Sequence, residues 1–168
     1  IVPSYALDDN HKNIPVVGIA ADKGFMTLHV QKYMMNREIG IGRKLLHILE
    51  DEGISYEHTP SGIDSISIII RERFYDEAVF DRMIKKIYSQ LNVDHVALEF
   101  NQAIVMIVGN GMTHSIGTAA RAATALANEK INLNMINQGS SEVSIMFGVA
   151  AEDANKSVVA LYNEFFNG

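Results

Sequence analysis

Residues 26–70 read MTLHVQKYMMNREIGIGRKLLHILEDEGISYEHTPSGIDSISIII, and residues 103–147 read AIVMIVGNGMTHSIGTAARAATALANEKINLNMINQGSSEVSIMF. Placing Met26 over Ala103, a shift of 77 residues, aligns the two stretches without a gap. Met35 then falls on Met112, Ile39 on Ile116, Gly40 on Gly117, Leu49 on Leu126, Glu52 on Glu129, Ile54 on Ile131, Gly62 on Gly139, Ser67 on Ser144 and Ile68 on Ile145. Most other pairs keep apolar over apolar, so one small module is present twice. The recurring glycines stand before each helix and within each hairpin, which means that a loop geometry is repeated along with a buried stripe. Loops held by a rigid scaffold are where ligands bind.

Outward from that repeat, each copy reads as the same series of elements. In the first, Met26, Leu28 and Val30 alternate with Thr27 and His29 as a half-buried strand requires. The loop KYMMNREIG leads to a helix predicted over 41–52, with Leu45, Leu46, Ile48 and Leu49 on one side and Gly53 as its stop. Strands ISYEHT and SISIII flank the turn PSGID, a second helix near 76–91 carries Val79, Phe80, Met83, Ile84, Ile87, Tyr88 and Leu91 on one stripe, and HVALEF is a fourth strand. The second copy runs through AIVMIVG, a helix over 118–128, INLNMIN, EVSIMFGV and a helix bearing Val158, Val159, Leu161, Tyr162, Phe165 and Phe166. The order β-α-β-β-α-β predicts an α+β fold of two ferredoxin-like modules, antiparallel sheets with helices on one face.

The second copy lacks a counterpart of HVALEF, whereas VVGIA at residues 16–20 is a strand-like run belonging to neither copy. The expectation is that VVGIA supplies the missing strand, because a bare sheet edge is a liability. The first module, residues 25–100, is then inserted into the second, residues 14–24 plus 101–168. Residues 1–13, including the polar and turn-prone SYALDDNHKN, are expected to be a linker, and a start at Ile1 rather than Met suggests a piece of a longer polypeptide.

Bulk properties narrow the function classes. With 168 residues, 48% hydrophobic and 20% charged, the chain can bury a substantial core. A net charge of −6 and a pI near 5.4 argue against nucleic-acid or anionic-membrane partners. The absence of Cys fits a reducing compartment, and no apolar run approaches a membrane span, so a cytoplasmic location is expected.

Several constellations resolve to ordinary roles. Gly109, Gly111 and Gly117 lie between a strand and a helix but miss the G-x-G-x-x-G spacing, and Asn132 and Asn134 stand where a ribose-binding acid would be needed. His29, His47, His58, His95 and His114 are scattered without a metal-binding spacing, so no metal site is expected. Ser140 and Ser141 lack the small-residue elbow of a reactive serine, and no catalytic residue is assigned. Met34, Met35 and Met112 are either core filler or a soft ligand lining. Arg43, Lys44, Lys85 and Lys86 read as solubilising charges on exposed helix faces. What remains is the loop before each first helix, with Met35, Asn36, Arg37, Glu38 and Gly40 in the first copy, and the strand beyond the helix, with Glu57, Thr59, Ser61 and Asp64. A free α-amino acid suits such a place: its carboxylate can meet backbone N–H groups at a helix start and its ammonium a fixed side-chain carboxylate. The plainer alternative is that Glu57 and Asp64 are ordinary exposed acids.

Paired modules with this loop resemble ACT domains, and the strings MMNREIGIGRKLLHILEDEGISYEHTPSGID and INLNMINQGSSEVSIMFGV are similar to the regulatory region of bacterial aspartokinases, over residues 16–166. The resemblance implies a region that lies C-terminal to an amino-acid kinase domain, which phosphorylates aspartate with ATP and Mg²⁺. That domain's phosphate-binding glycines and catalytic lysine are not in this sequence, so no cofactor is expected in this chain. It further implies homodimerisation through the ACT modules and feedback inhibition by lysine or threonine, end products of the aspartate-family pathway that also leads to methionine. By resemblance, the effector meets Met35, Asn36, Gly40 and Ile41 around the loop and Ser55, Tyr56, Glu57, Ser61 and Asp64 on the strand side. Met112, Gly117, Asn132, Asn134, Ser141 and Glu142 take the equivalent places in the second module. The alternative readings are an amino-acid-sensing ACT module of another biosynthetic enzyme or of a transcription regulator, and a small stand-alone enzyme, which would need convergent titratable groups that the sequence does not offer.

Overall fold

The computed structural model of the chain describes residues 14–167. The expected linker, residues 1–13, lies outside the described residues. Among the described residues two compact units are present, one spanning Gly24–Asn101 and the other formed by residues 14–23 and 102–167.

In the first unit, β1 (Gly18–Gln31) pairs antiparallel with β2 (Ser65–Arg71), Met26 opposite Ile70 and Val30 opposite Ile66. The helix α1 (Ile41–Asp51) starts after Gly40 at φ 78° and ends where Gly53, at φ 69°, turns the chain back, the Ile54 amide donating to the Leu49 carbonyl. Its buried residues, Ile41, Leu45, Ile48 and Leu49, recur at helical spacing. The second helix, α2 (Glu77–Leu91), is capped by the Asp76 carboxylate, which accepts from the Val79 amide at 3.0 Å. Phe80, Met83, Ile87 and Leu91 point from it into one cluster with Met26, Leu28, Val30, Ile68 and Ile70, so both helices cover the same sheet face. The segment expected as strand ISYEHT makes only an isolated bridge, His58 to Ile69, followed by a second, Ser61 to Ile66, in the turn beyond it. Pro60 is the reason, since it offers a carbonyl to the Ser67 amide but has no N–H to return.

The second unit uses the later part of β3 (His95–Val108), β4 (Met135–Gln138) and β5 (Ser144–Ala150), with β5 between the other two. On the side of β3 away from β5, the Val17 amide, just before β1, donates to the Val108 carbonyl at 2.8 Å. Helices α3 (Thr118–Asn128) and α4 (Ala154–Phe166) bury Ala122, Leu126, Ala154 and Leu161 against Val105, Ile107, Phe147 and Val149. Gly148 permits the close approach of β4 to β5, because a Cβ there would collide with the Asn134 side chain and with Met135.

The GIA of VVGIA and MTLHV, expected in separate strands, lie in one 14-residue strand, β1, and HVALEF with AIVMIV lies in another, β3. Ala20, Ala21, Asp22 and Lys23 between the two buried runs of β1 are exposed. Four consecutive exposed positions carry no period-2 signal, so the sequence pattern breaks where the strand does not. Gly24 at φ 83° and Asn101 at φ 57° absorb the irregularity within each long strand.

Candidate functional site

The second unit builds a cavity of about 590 Å³ where β3 hands over to α3. Gly109 ends the strand, its amide on the Val143 carbonyl at 2.9 Å, and a Cβ there would run into the Pro15 carbonyl. A 3-10 turn, Asn110–His114, then buries Met112, and Gly117 at φ 89° starts the helix. A side chain at that φ is strained, which explains the glycine. Thr118 is buried and its hydroxyl donates to the Ser115 carbonyl at 3.1 Å. No side chain caps α3, so the amides of its first turn are left to other acceptors. Facing them is the tight turn after β4, in which Glu142, at φ 55°, donates its amide to the Gly139 carbonyl at 2.9 Å.

Met112 and Ile145 form the apolar side of the cavity, while Ser115, Gln138, Ser140, His114 and Glu142 supply polar groups. Among the described residues no Lys or Arg lines it. A carboxylate entering it must therefore rely on backbone amides, and an ammonium has the Glu142 carboxylate and turn carbonyls available. Met112, Gly117 and Glu142 were expected from the sequence. Ser141, Asn132 and Asn134 do not line the cavity, and the Asn134 side-chain amide donates to Gln102. The residues that sequence reasoning missed, Ser115, Thr118, Gln138 and Ser140 among them, lie on the same two loops and become neighbours only when the loops meet.

The equivalent loop of the first unit is arranged differently. Met35 is buried, and the Asn36 amide donates to the Ile63 carbonyl at 3.1 Å. Gly40 and Ile41 begin α1, again without a side-chain cap. Glu38 folds back between two cations: Lys32 donates to one carboxylate oxygen, and Lys44 lies 3.4 Å from the other. Lys32 also donates to the Leu91 carbonyl at 2.6 Å. The hydrogen bond from Lys32, assisted by Lys44 and opposed by partial burial, holds the Glu38 carboxyl below the usual glutamate range. On the strand side, Ser55, Tyr56, Glu57, Ser61 and Asp64 are exposed, and Glu57 is paired with Arg71 at 2.9 Å. Beside them, burial pushes the His58 imidazole down, and its Nε2 has no hydrogen-bond partner among the described residues.

Two charges expected to be merely solubilising are structural. Lys44 holds Glu38, and Lys86 pairs at 2.8 Å with Glu52, which Arg82 also contacts at 3.1 Å. The reason is tertiary: Glu52 lies just past the end of α1 and its partners lie on α2. Among the described residues no three His, Cys, Asp or Glu side chains converge as a metal site, and no helix is long and apolar enough to cross a membrane.

The ACT domain family model matches residues 105–165. Aspartokinase 3 of Bacillus subtilis (strain 168) is 52% identical over 159 residues, which is 95% of this chain and 35% of that protein. The crystal structure of Clostridium acetobutylicum aspartate kinase superposes with a TM-score of 0.85 at 41% identity, over 94% of this chain and 37% of that one. Escherichia coli aspartokinase III in complex with lysine and aspartate, in its T-state, shares the fold, with a TM-score of 0.75 at 19% identity over 95% of this chain and 35% of that one. This chain thus spans about a third of the length of these relatives. Together with the repeated units, these matches define an ACT-type regulatory region. More particularly, the chain belongs to the aspartokinases and corresponds to their regulatory ACT region.

Proposed function

We propose that this chain senses a free α-amino acid, lysine or threonine, and relays its presence to an aspartate kinase as feedback inhibition of the aspartate-family pathway. The carrying observation is the second unit's cavity, lined both by the uncapped start of α3 and by Glu142, the two polarities that an amino acid's backbone groups need. Met112, Gly117 and Glu142 are its assigned contacts, and the first unit's Met35, Asn36, Gly40, Ile41, Ser55, Tyr56, Glu57, Ser61 and Asp64, with Asn132, Asn134 and Ser141, complete the candidate set from the sequence. The lysine-bound relative of the same fold makes lysine the first ligand to test.

In this reading the parent enzyme is cytoplasmic and transfers phosphate from ATP, with Mg²⁺, to the aspartate side chain in a kinase domain, while these residues only regulate. The modules pair as a homodimer, supported by the exposed Ile39, Ile63, Ile116 and Ile136, apolar surface that a partner would cover. The same reading has the first module inserted into the second, supported by the Val17 to Val108 hydrogen bond. The effector favours the arrangement that holds the kinase inactive, and a coupling of about 1–3 kcal/mol weakens activity roughly 5- to 150-fold.

Calorimetry and thermal melts of the purified chain with lysine, threonine and methionine, singly and mixed, test this. A ligand confined to the folded state at about a hundred times its Kd adds about 2.7 kcal/mol of stability. No heat and no shift with any of the three, in a sample shown to be dimeric, would remove the sensing role.

A further inference from the structure

Residues 31–33 and 91–94 of the first unit interlock. The junction between α2 and β3 is anchored in the core by Leu91 and Val93, both buried, with Asn92 between them in the left-handed conformation as the cap of α2. From that junction Asp94 grips the chain on both sides of Lys32: its amide donates to the Gln31 carbonyl at 2.9 Å, and its carboxylate accepts from the Tyr33 amide at 2.6 Å. Lys32 reaches back and donates to the Leu91 carbonyl at 2.6 Å. An ammonium suits that place, because the last carbonyls of a helix lack partners within it and carry the negative end of its dipole. On its other side the loop is tied to the hairpin turn, the Lys32 amide donating to the Asp64 carbonyl and the Asn36 amide to that of Ile63. Between these ties Met34 is a non-glycine residue at φ 56°. Strain of that kind persists only where the surroundings over-determine the backbone.

Resting on the sensing reading above, we infer that Lys32 and Asp94 are positioning residues that make the loop before α1 and the α2–β3 junction move together, so that an amino acid seated on that loop is registered at the end of α2. Neither residue is in the candidate contact set; each acts through the backbone that presents Asn36, Gly40 and Ile41. Apart from the buried Met35 the loop is largely in solvent, with Tyr33 76% and Ile39 96% exposed, so its shape depends on these bonds more than on packing. Both ties have a charged partner, which makes them stronger than neutral hydrogen bonds. A loop held in advance loses less conformational freedom when a ligand settles on it. At its opposite end α1 is fixed to α2 through Glu52, on Lys86 at 2.8 Å and on Arg82 at 3.1 Å. A shift of the loop therefore cannot be absorbed by α1 sliding alone, and α2 shares it.

Amide hydrogen exchange of the purified chain, which reports local opening, tests this alongside calorimetry. In the wild type, lysine or threonine at saturation is expected to slow exchange in two segments, residues 33–41 and 89–96. Asp94→Ala and Lys32→Met, which remove the carboxylate and the ammonium, are expected to bind about tenfold more weakly, the size of one hydrogen bond to a charged group, and at saturation to protect residues 33–41 alone. Asp94→Asn keeps an acceptor for the Tyr33 amide and Lys32→Arg keeps donors for the Leu91 carbonyl. Both should restore the affinity and the second protected segment, a rescue that a merely structural role would not produce. Circular dichroism confirms that each variant is folded, and because the two ties are separate, either removal decides. Protection of residues 89–96 that persists in a folded removal variant would overturn the coupling and leave sensing intact. Calorimetric binding to the wild type without protection of residues 33–41 would do the same. If the wild type gives neither heat nor protection with either amino acid, the sensing reading falls and the relay with it, and the ligand-free samples still decide the tie. There, residues 33–38 should exchange about tenfold faster in Asp94→Ala than in the wild type or Asp94→Asn, and equal rates would overturn the positioning role.

Discussion

The two units fold the same run of elements around loops that begin alike and end differently. In one, Gly40 follows a carboxylate held by Lys32 and Lys44; in the other, Gly117 follows Ser115 beside a cavity. Both loops keep an isoleucine, Ile39 or Ile116, almost fully in solvent immediately before the glycine. The lesson is that duplication preserved the backbone of the loop, through the glycine and the buried methionine, while the charges on it diverged. A scaffold can keep its shape and change what it accepts, because side chains at a loop surface make few of the contacts that hold the core.

The strongest way to break this comparison is through the cores. Leu45 and Ala122 occupy equivalent, fully buried positions on α1 and α3. Leu45→Ala is expected to destabilise the chain by about 2–5 kcal/mol, and Ala122→Leu by about 1–3 kcal/mol through overpacking, both read from denaturant unfolding. A neutral Ala122→Leu would mean that the second unit's helix packs more loosely than its burial indicates. Next in size are the helix starts. Gly40→Ala and Gly117→Ala should each cost about 1–2 kcal/mol, since both glycines lie in the left-handed region, and similar losses in thermal melts would show that the two loops share their backbone requirement. Gly109→Ala tests a requirement that Lys32, at the same place in the repeat, does not have: its Cβ would meet the Pro15 carbonyl, so the melting temperature should fall.

The smallest effect is one of pH. Because Glu38 has a depressed pKa in the folded chain, its contribution is fully present above the ordinary glutamate value of about 4.3 and is lost as pH falls through the lower, folded value. Glu38→Gln should therefore be less stable than the wild type at neutral pH, and the difference should disappear in acid. Ser115→Ala, the equivalent change in the second unit, should show no such pH dependence. A Glu38→Gln difference that persists unchanged into acid would assign its effect to packing instead of charge.

Much of the fold was legible in the residues. The helix over 118–128 is observed at those bounds, and α1 and α2 each differ from expectation by a residue at one end, because apolar spacing, a glycine before or after, and an aspartate cap are local signals. The strand ISYEHT was overestimated, since its apolar and β-prone residues say nothing of the donor that Pro60 lacks toward Ser67. The long β1 was read as two shorter strands because its exposed middle has no alternation, and β3 because the polar Asn101 and Gln102 separate its two apolar runs. At the candidate site, Met112, Gly117 and Glu142 emerged from the repeat, but Gln138 and Ser140 needed the two loops to be brought together. The Lys32, Glu38 and Lys44 cluster left a trace in the sequence as three charged positions around one loop, two of them matched by Gly109 and Ser115, and its meaning appears only once the side chains meet.

By itself, then, the amino-acid order determined two like modules, their helices, the glycines that open each helix and the membership that follows from long matching strings. These depend on periodicity and backbone freedom, which act over a few residues. Only the tertiary structure decided that one loop spends its carboxylate on its own lysines while the other faces a cavity, because ion pairs and cavities are made by residues distant in sequence whose separation is set by packing.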